Sequence, residues 1–227
     1  HTADSDVLIP DIPRTQSHPI TLDEAAAKQM LAEAGIPIPQ NKVIDLKNSV
    51  SVKDIQYPVV LKAIAPNLLH KTEIGAVMLA IPDEKALQEA VSQMHARLTQ
   101  SHPQYAPNMR WEGRFLVEEM VQNVVAELLV GIHFVERIGF AMTVAIGGIA
   151  VELLQDSATL LLPAPRAAIE DALRQLKLFP LLDGYRGQPK ADLEAALDAI
   201  ETMTQFVMRH PEKIDTLEVN PLLVCQT

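Results

Sequence analysis

Three β-like runs follow one another in the second half of the chain: "RFLVEEMV" (114–121), "AELLVGIHF" (126–134) and "AMTVAIGGIAVELL" (141–154). No helical pattern separates them, so the chain lacks the strict strand–helix alternation of a doubly wound sheet. Elsewhere strands and helices mix. "VVLKAI" (59–64) and residues 76–81 read as strands. Residues 83–98 carry helical periodicity, as do "PRAAIEDALRQLKLF" and "ADLEAALDAIETMTQFVMRH". In "TLDEAAAKQMLAEAGIPIPQ", Thr21 and Glu24 have the spacing of a capping box, and Gly35 with Pro37 stops the helix. The final run, "DTLEVNPLLV", reads as a strand interrupted by Pro221.

This pattern predicts an α+β (α/β) chain of two lobes. Residues 1–19 form a loose tail or tag, 20–113 a smaller lobe ending in a polar connector, and 114–227 a larger lobe. With 227 residues, 48% of them hydrophobic, a proper core can be buried. A formal net charge of −10 argues against a nucleic-acid partner, which wants a basic face. Cys225 is the sole cysteine, so no internal disulfide forms, as suits a reducing cytoplasm. No apolar run reaches the ~18 residues of a membrane span, and the opening residues do not resemble a signal peptide.

The chemistry concentrates in a few places. Lys62 lies among Val60, Leu61, Ala63 and Ile64, and an unpaired buried ammonium would cost several kcal/mol. Its head therefore points to solvent or to an anion in a cleft. Eight residues on comes His70-Lys71-Thr72-Glu73, on a loop closed by Gly75. A neutral histidine is a good nucleophile toward phosphorus, although a loop histidine is more often an ordinary surface residue. Glu118, Glu119 and Val121 end one strand and Glu127 begins the next. Such a hinge reads an adenine edge and a ribose, or is merely a pair of solvated strand-end glutamates. Glu218 and Asn220, two apart on a strand, share one face. Together they offer the oxygen ligands that Mg²⁺ takes, or stand as polar residues before Pro221. Gly147-Gly148, with Glu152 and Asp156 beyond, allows close backbone approach or a plain turn.

Taken in order, "YPVVLKAIAPNLLHKTEIGAV", "FLVEEMV…AELLVGI", "AIGGIAVELLQD", "LLDGYRGQPKADL" and "LEVNPLLV" resemble the ATP-grasp domain of the ADP-forming acyl-CoA synthetases, the acetate–CoA ligase family related to succinyl-CoA synthetase. The resemblance runs over about residues 20 to 224. It implies an ATP-grasp fold, two lobes clamping a nucleotide, with ATP/ADP and Mg²⁺ as cofactors. It further implies that Lys62 holds nucleotide phosphates, that the hinge from Glu118 through Glu119 to Val121 takes the adenine, and that Glu127 takes the ribose. Glu218 and Asn220 would bind Mg²⁺. His70 would be a phosphoryl carrier, with Lys71 offsetting the charge of phosphohistidine. A CoA-binding alpha subunit or fused domain would complete the enzyme.

The chain departs from the family's pattern in several places. Ala76 replaces a usual second glycine, Leu160 a frequent arginine, and "HFVERIGF" the usual Asp-Pro…Phe-Gly-Pro run. The chain also stops at Thr227, before a strand that in relatives bears a metal-holding Asp. These departures leave open an alternative: the catalytically silent ATP-grasp region of a larger, acyl-CoA-synthetase-like protein lysine acetyltransferase.

Overall fold

The computed structural model describes residues 20–46, 51–64, 71, 74–99, 111–147 and 156–227. Among these, the chain divides into two compact units, Ile20–Val121 and Gln122–Thr227. Each is α+β with its own antiparallel sheet.

In the first unit the strands are β1 (Asn41–Asp45), β2 (Val59–Ile64), β3 (Val77–Ile81) and β4 (Arg114–Glu119), in the order β1-β4-β2-β3. β4 is thus an inner strand, antiparallel to both β1 and β2. The sequence places the start of the larger lobe at residue 114, yet pairing on both edges holds β4 in the first unit. The division falls after Val121 instead.

Helix α2 (Glu84–Leu98) is capped by Asp83, whose carboxylate accepts from Ala86 N. Its Leu87, Ala90, Val91, Met94 and Leu98 form one buried stripe. That stripe packs with Val59, Leu61 and Ala63 of β2 and with Phe115 and Val117 of β4. Helix α1 (Glu24–Glu33) lies on the other face, where Lys62 and Glu118 point. It buries none of its residues. The expected cap at Thr21 is corrected: Asp23 is the cap, accepting from Ala26 N at 2.9 Å. Glu24 does not reach back to close a capping box, because its carboxylate is held by lysines of the sheet and loop.

In the second unit β5 (Val124–Val135), β6 (Gly139–Ile146), β7 (Ser157–Leu161) and β8 (Thr216–Cys225) form a sheet ordered β7-β6-β5-β8. Helices α3 (Arg166–Arg174) and α4 (Leu193–Arg209) contact the strands of this sheet. Ala126, Leu128, Val130 and Ile132 of β5 are buried with Met142 and Val144 of β6. Ile169 and Leu173 of α3, and Leu197, Ile200 and Met203 of α4, are buried too. Arg166 binds Glu194, Asp198 and Glu201, joining the two helices at their surface.

Pro221 does not interrupt β8. Opposite Leu128 stands Leu222 and opposite Val130 stands Val219, so β8 uses three steps where β5 uses two. The bulge falls at Asn220–Pro221 on an outer strand, where a missing N–H is tolerated. It also shifts the side-chain alternation by one. Leu217 and Val219 before it, and Leu222 and Val224 after it, therefore all stand opposite inward residues of β5. Leu160 stands opposite buried Met142 and shares its side of the sheet.

Candidate functional site

In the first unit five charged side chains meet over the α1 face of the sheet. Lys62 sits on an inner strand, and Glu118 stands across from it two residues along, opposite Val60, so both side chains share one face. The Lys62 ammonium lies 2.6 Å from Glu118 Oε2 and 2.7 Å from Glu24 Oε1. Lys28 of α1 binds Glu118 Oε1 and stands 3.6 Å from Glu24. Lys71 takes the remaining oxygen, Glu24 Oε2. Its backbone is fixed by Ala76 N donating to Lys71 O at 2.7 Å, while Ala76 O accepts from Ala63 N at 2.9 Å. Ala76 is fully buried there.

Among the described residues three ammoniums thus share two carboxylates, leaving one positive charge in surplus. Glu118 is only 3% exposed, so its charge depends on these partners. The titration behaviour follows. Burial alone would raise the Glu24 carboxyl, but Lys62 and Lys71 overcome it and hold it at about 2. For Lys62, burial works against the ammonium, yet Glu24 and Glu118 outweigh it and its pKa is raised. Lys28, depressed by burial and by the nearby charge of Lys62, is lowered despite Glu118.

The Glu24 carboxyl lies below its ordinary 4.5 in the folded chain, so its contribution is complete above that pH and disappears as the pH falls toward about 2. Allowing for screening at its partly open edge, the contribution is about 2 kcal/mol. The stability difference between the wild type and Glu24→Gln, read by urea unfolding, should be full at neutral pH. It should shrink between pH 4.5 and 2. A difference independent of pH would contradict this assignment.

The other hinge residues are placed as follows. Glu119 Oε1 accepts from Gln56 N at 2.9 Å, and Glu119 N donates to Gln40 O. Val121 is the last residue of the first unit. The carboxylates of Glu118 and Glu119 are therefore both engaged within that unit. The counter-charge that the sequence requires for Lys62 is supplied by two glutamates of the chain itself, Glu24 and Glu118. His70 lies outside the described residues, as do Thr72, Glu73, Gly148 and Glu152.

The second unit gathers the remaining candidates on one side of its sheet. Glu218, opposite Gly131, and Asn220, two residues on, are both exposed. Exposed Glu127 lies on the same side of β5, four residues from Gly131, or about 13 Å along the strand. Thr143 stands opposite both Gly131 and Thr159, and the two threonine hydroxyls are 3.2 Å apart. Gly147 is held close to the chain itself: a Cβ there would come within 3.0 Å of Glu127. Asp156 is buried and accepts from Lys177 N at 2.9 Å and Leu178 N at 3.0 Å, closing the end of α3 rather than facing a ligand.

Among the described residues no three His, Cys, Asp or Glu side chains gather as a metal cluster. Glu218 with Asn220 still fits Mg²⁺, which keeps waters and accepts phosphate oxygens beside one or two protein ligands. No helix among the described residues is long and apolar enough to cross a membrane.

Sequence reasoning missed Glu24 and Lys28. Their i,i+4 spacing in "EAAAK" was visible, but such a pair usually stays on the helix surface.

A family described as an ATP-grasp domain matches residues 15–227. The beta subunit of acetate–CoA ligase [ADP-forming] II of Pyrococcus furiosus is 28% identical over 203 residues, 88% of this chain and 84% of that subunit. Acetate–CoA ligase [ADP-forming] I of Archaeoglobus fulgidus is 32% identical, over 77% of this chain but 24% of that longer protein. Among solved structures, dinucleotide forming acetyl-coenzyme A synthetase 1 of Ca. Korarchaeum cryptofilum, in complex with coenzyme A, Ca-AMPCP and HgCl⁺, superposes with a TM-score of 0.80. It is 25% identical, over 91% of this chain and 88% of that one. The same synthetase with a phosphorylated phosphohistidine segment gives 0.73 at 25% identity, over 89% and 86% of the two chains. The chain belongs to the ATP-grasp domain family.

Proposed function

We propose that this chain is the nucleotide-binding part of an ADP-forming acyl-CoA synthetase, passing a phosphoryl group between His70 and ADP. The observation that carries this reading is the lysine cluster of the first unit. A surplus positive charge is built into a sheet face, and Lys71, the neighbour of His70, belongs to it. Phosphoryl transfer needs chiefly positioning and neutralised charge, and such a cluster supplies both.

In this reading Lys62 holds and orients the nucleotide phosphates, and Lys71 offsets the charge on phosphorylated His70. The P–N bond to His70 breaks as a P–O bond to the terminal phosphate of ADP forms. Val121 and its neighbours meet the adenine through main-chain atoms, because the Glu118 and Glu119 carboxylates are engaged. Glu127 accepts ribose hydroxyls. Glu218 and Asn220 would hold Mg²⁺, which when bound would supply positive charge to screen the phosphates. The similarity to a beta subunit supports a CoA-binding partner that generates the acyl phosphate. Relatives named as ligases and synthetases favour this reading over a silent region of an acetyltransferase.

Incubation with ATP–Mg²⁺ and a CoA-binding partner should label the wild type with acid-labile phosphate, and His70→Ala should remain unlabelled. Equal labelling of both proteins would remove His70 from the mechanism.

A further inference from the structure

We propose that Glu24 is a built-in competitor for phosphate, its carboxylate occupying on Lys62 and Lys71 the positions that phosphate oxygens would take. This rests on the nucleotide reading above and adds a residue that sets affinity. The geometry carries it. Glu24 directs one oxygen to Lys62 at 2.7 Å and the other to Lys71, so a single anion bridges two ammoniums on separate elements. A phosphate group bridges such a pair in the same way, with greater charge.

The two carboxylates of the cluster are not equivalent. Glu118 is buried on a central strand and its two oxygens are committed to Lys28 and Lys62. Glu24 sits in the first turn of α1, a helix that buries none of its residues. It also has somewhere to go. Lys28, one turn further along α1, is already 3.6 Å away, so the carboxylate keeps a cation when it leaves Lys62 and Lys71. Beside it, Asp23 pairs with Arg114 at 3.4 Å and would not follow.

A plain structural pin and a competitor differ in sign. If Glu24 only fastened α1, its loss would leave polyphosphate binding unchanged or weaker. If it competes, removing its charge frees both ammoniums and strengthens binding. The test titrates ATP–Mg²⁺ and inorganic tripolyphosphate into the wild type, Glu24→Gln and Glu33→Gln. Glu33 lies at the far end of α1, bonded to Gln29, and its variant controls for net charge alone.

Glu24→Gln should bind both probes about tenfold more tightly than the wild type, and Glu33→Gln should match the wild type. Should Glu24→Gln fail to fold, Glu24→Asp carries the test with the same sign, because its shorter side chain cannot span both lysines. If the wild type binds and these variants bind equally or more weakly, the competitor role is overturned and the nucleotide reading stands. If no form binds either probe, both fall.

Discussion

Glu118→Gln is expected to lower unfolding stability by about 3 kcal/mol. The side chain is 3% exposed, and its two oxygens hold Lys28 and Lys62. Glutamine keeps the shape but removes the charge. Of the three ammoniums, Glu24 would then be the one remaining carboxylate partner among the described residues. The damage should be selective. Lys28 is already lowered by burial and by Lys62, and it would be first to lose its proton. Raising the pH should therefore recover part of the loss, whereas a simple packing defect would show no such recovery. Urea unfolding at neutral and alkaline pH checks both parts.

The sequence made much of this architecture legible where periodicity is local. α2, β2, β4 and the two helices of the second unit each carry an apolar repeat matched to their geometry. The common face of Glu218 and Asn220 followed from strand alternation alone. What stayed hidden depends on distant pairing. β1 offers "NKVID", in which only Ile44 is buried, too little apolar pattern to mark an outer strand. β7 alternates exposed residues with partly buried Ala158 and Leu160, equally faint.

The unit boundary was misplaced because β4 follows a polar connector and looks like a beginning. Its partners lie far back in the chain, from residue 41 to residue 64. Most telling is Lys62. Sequence logic recognised that its charge needs a counter-charge, but Glu24 and Glu118 are 38 and 56 residues away. No periodicity reports a meeting of that kind.

Lys62→Ala is expected to weaken ATP–Mg²⁺ binding by about 100-fold, since it removes a desolvated, strand-held cation and with it the cluster's surplus charge. Two pairs would remain, Lys28 with Glu118 and Lys71 with Glu24, so no carboxylate is orphaned and the variant should fold. Lys71→Ala should cost less, because Lys71 lies outside the strands. Calorimetric titration of ATP–Mg²⁺ into the wild type, Lys62→Ala and Lys71→Ala is the most direct measurement. The account requires saturable binding by the wild type, with the Lys62 variant weakened far more than the Lys71 variant. Wild-type affinity in Lys62→Ala, with the protein folded, would contradict the assignment of the cluster to the nucleotide's phosphates.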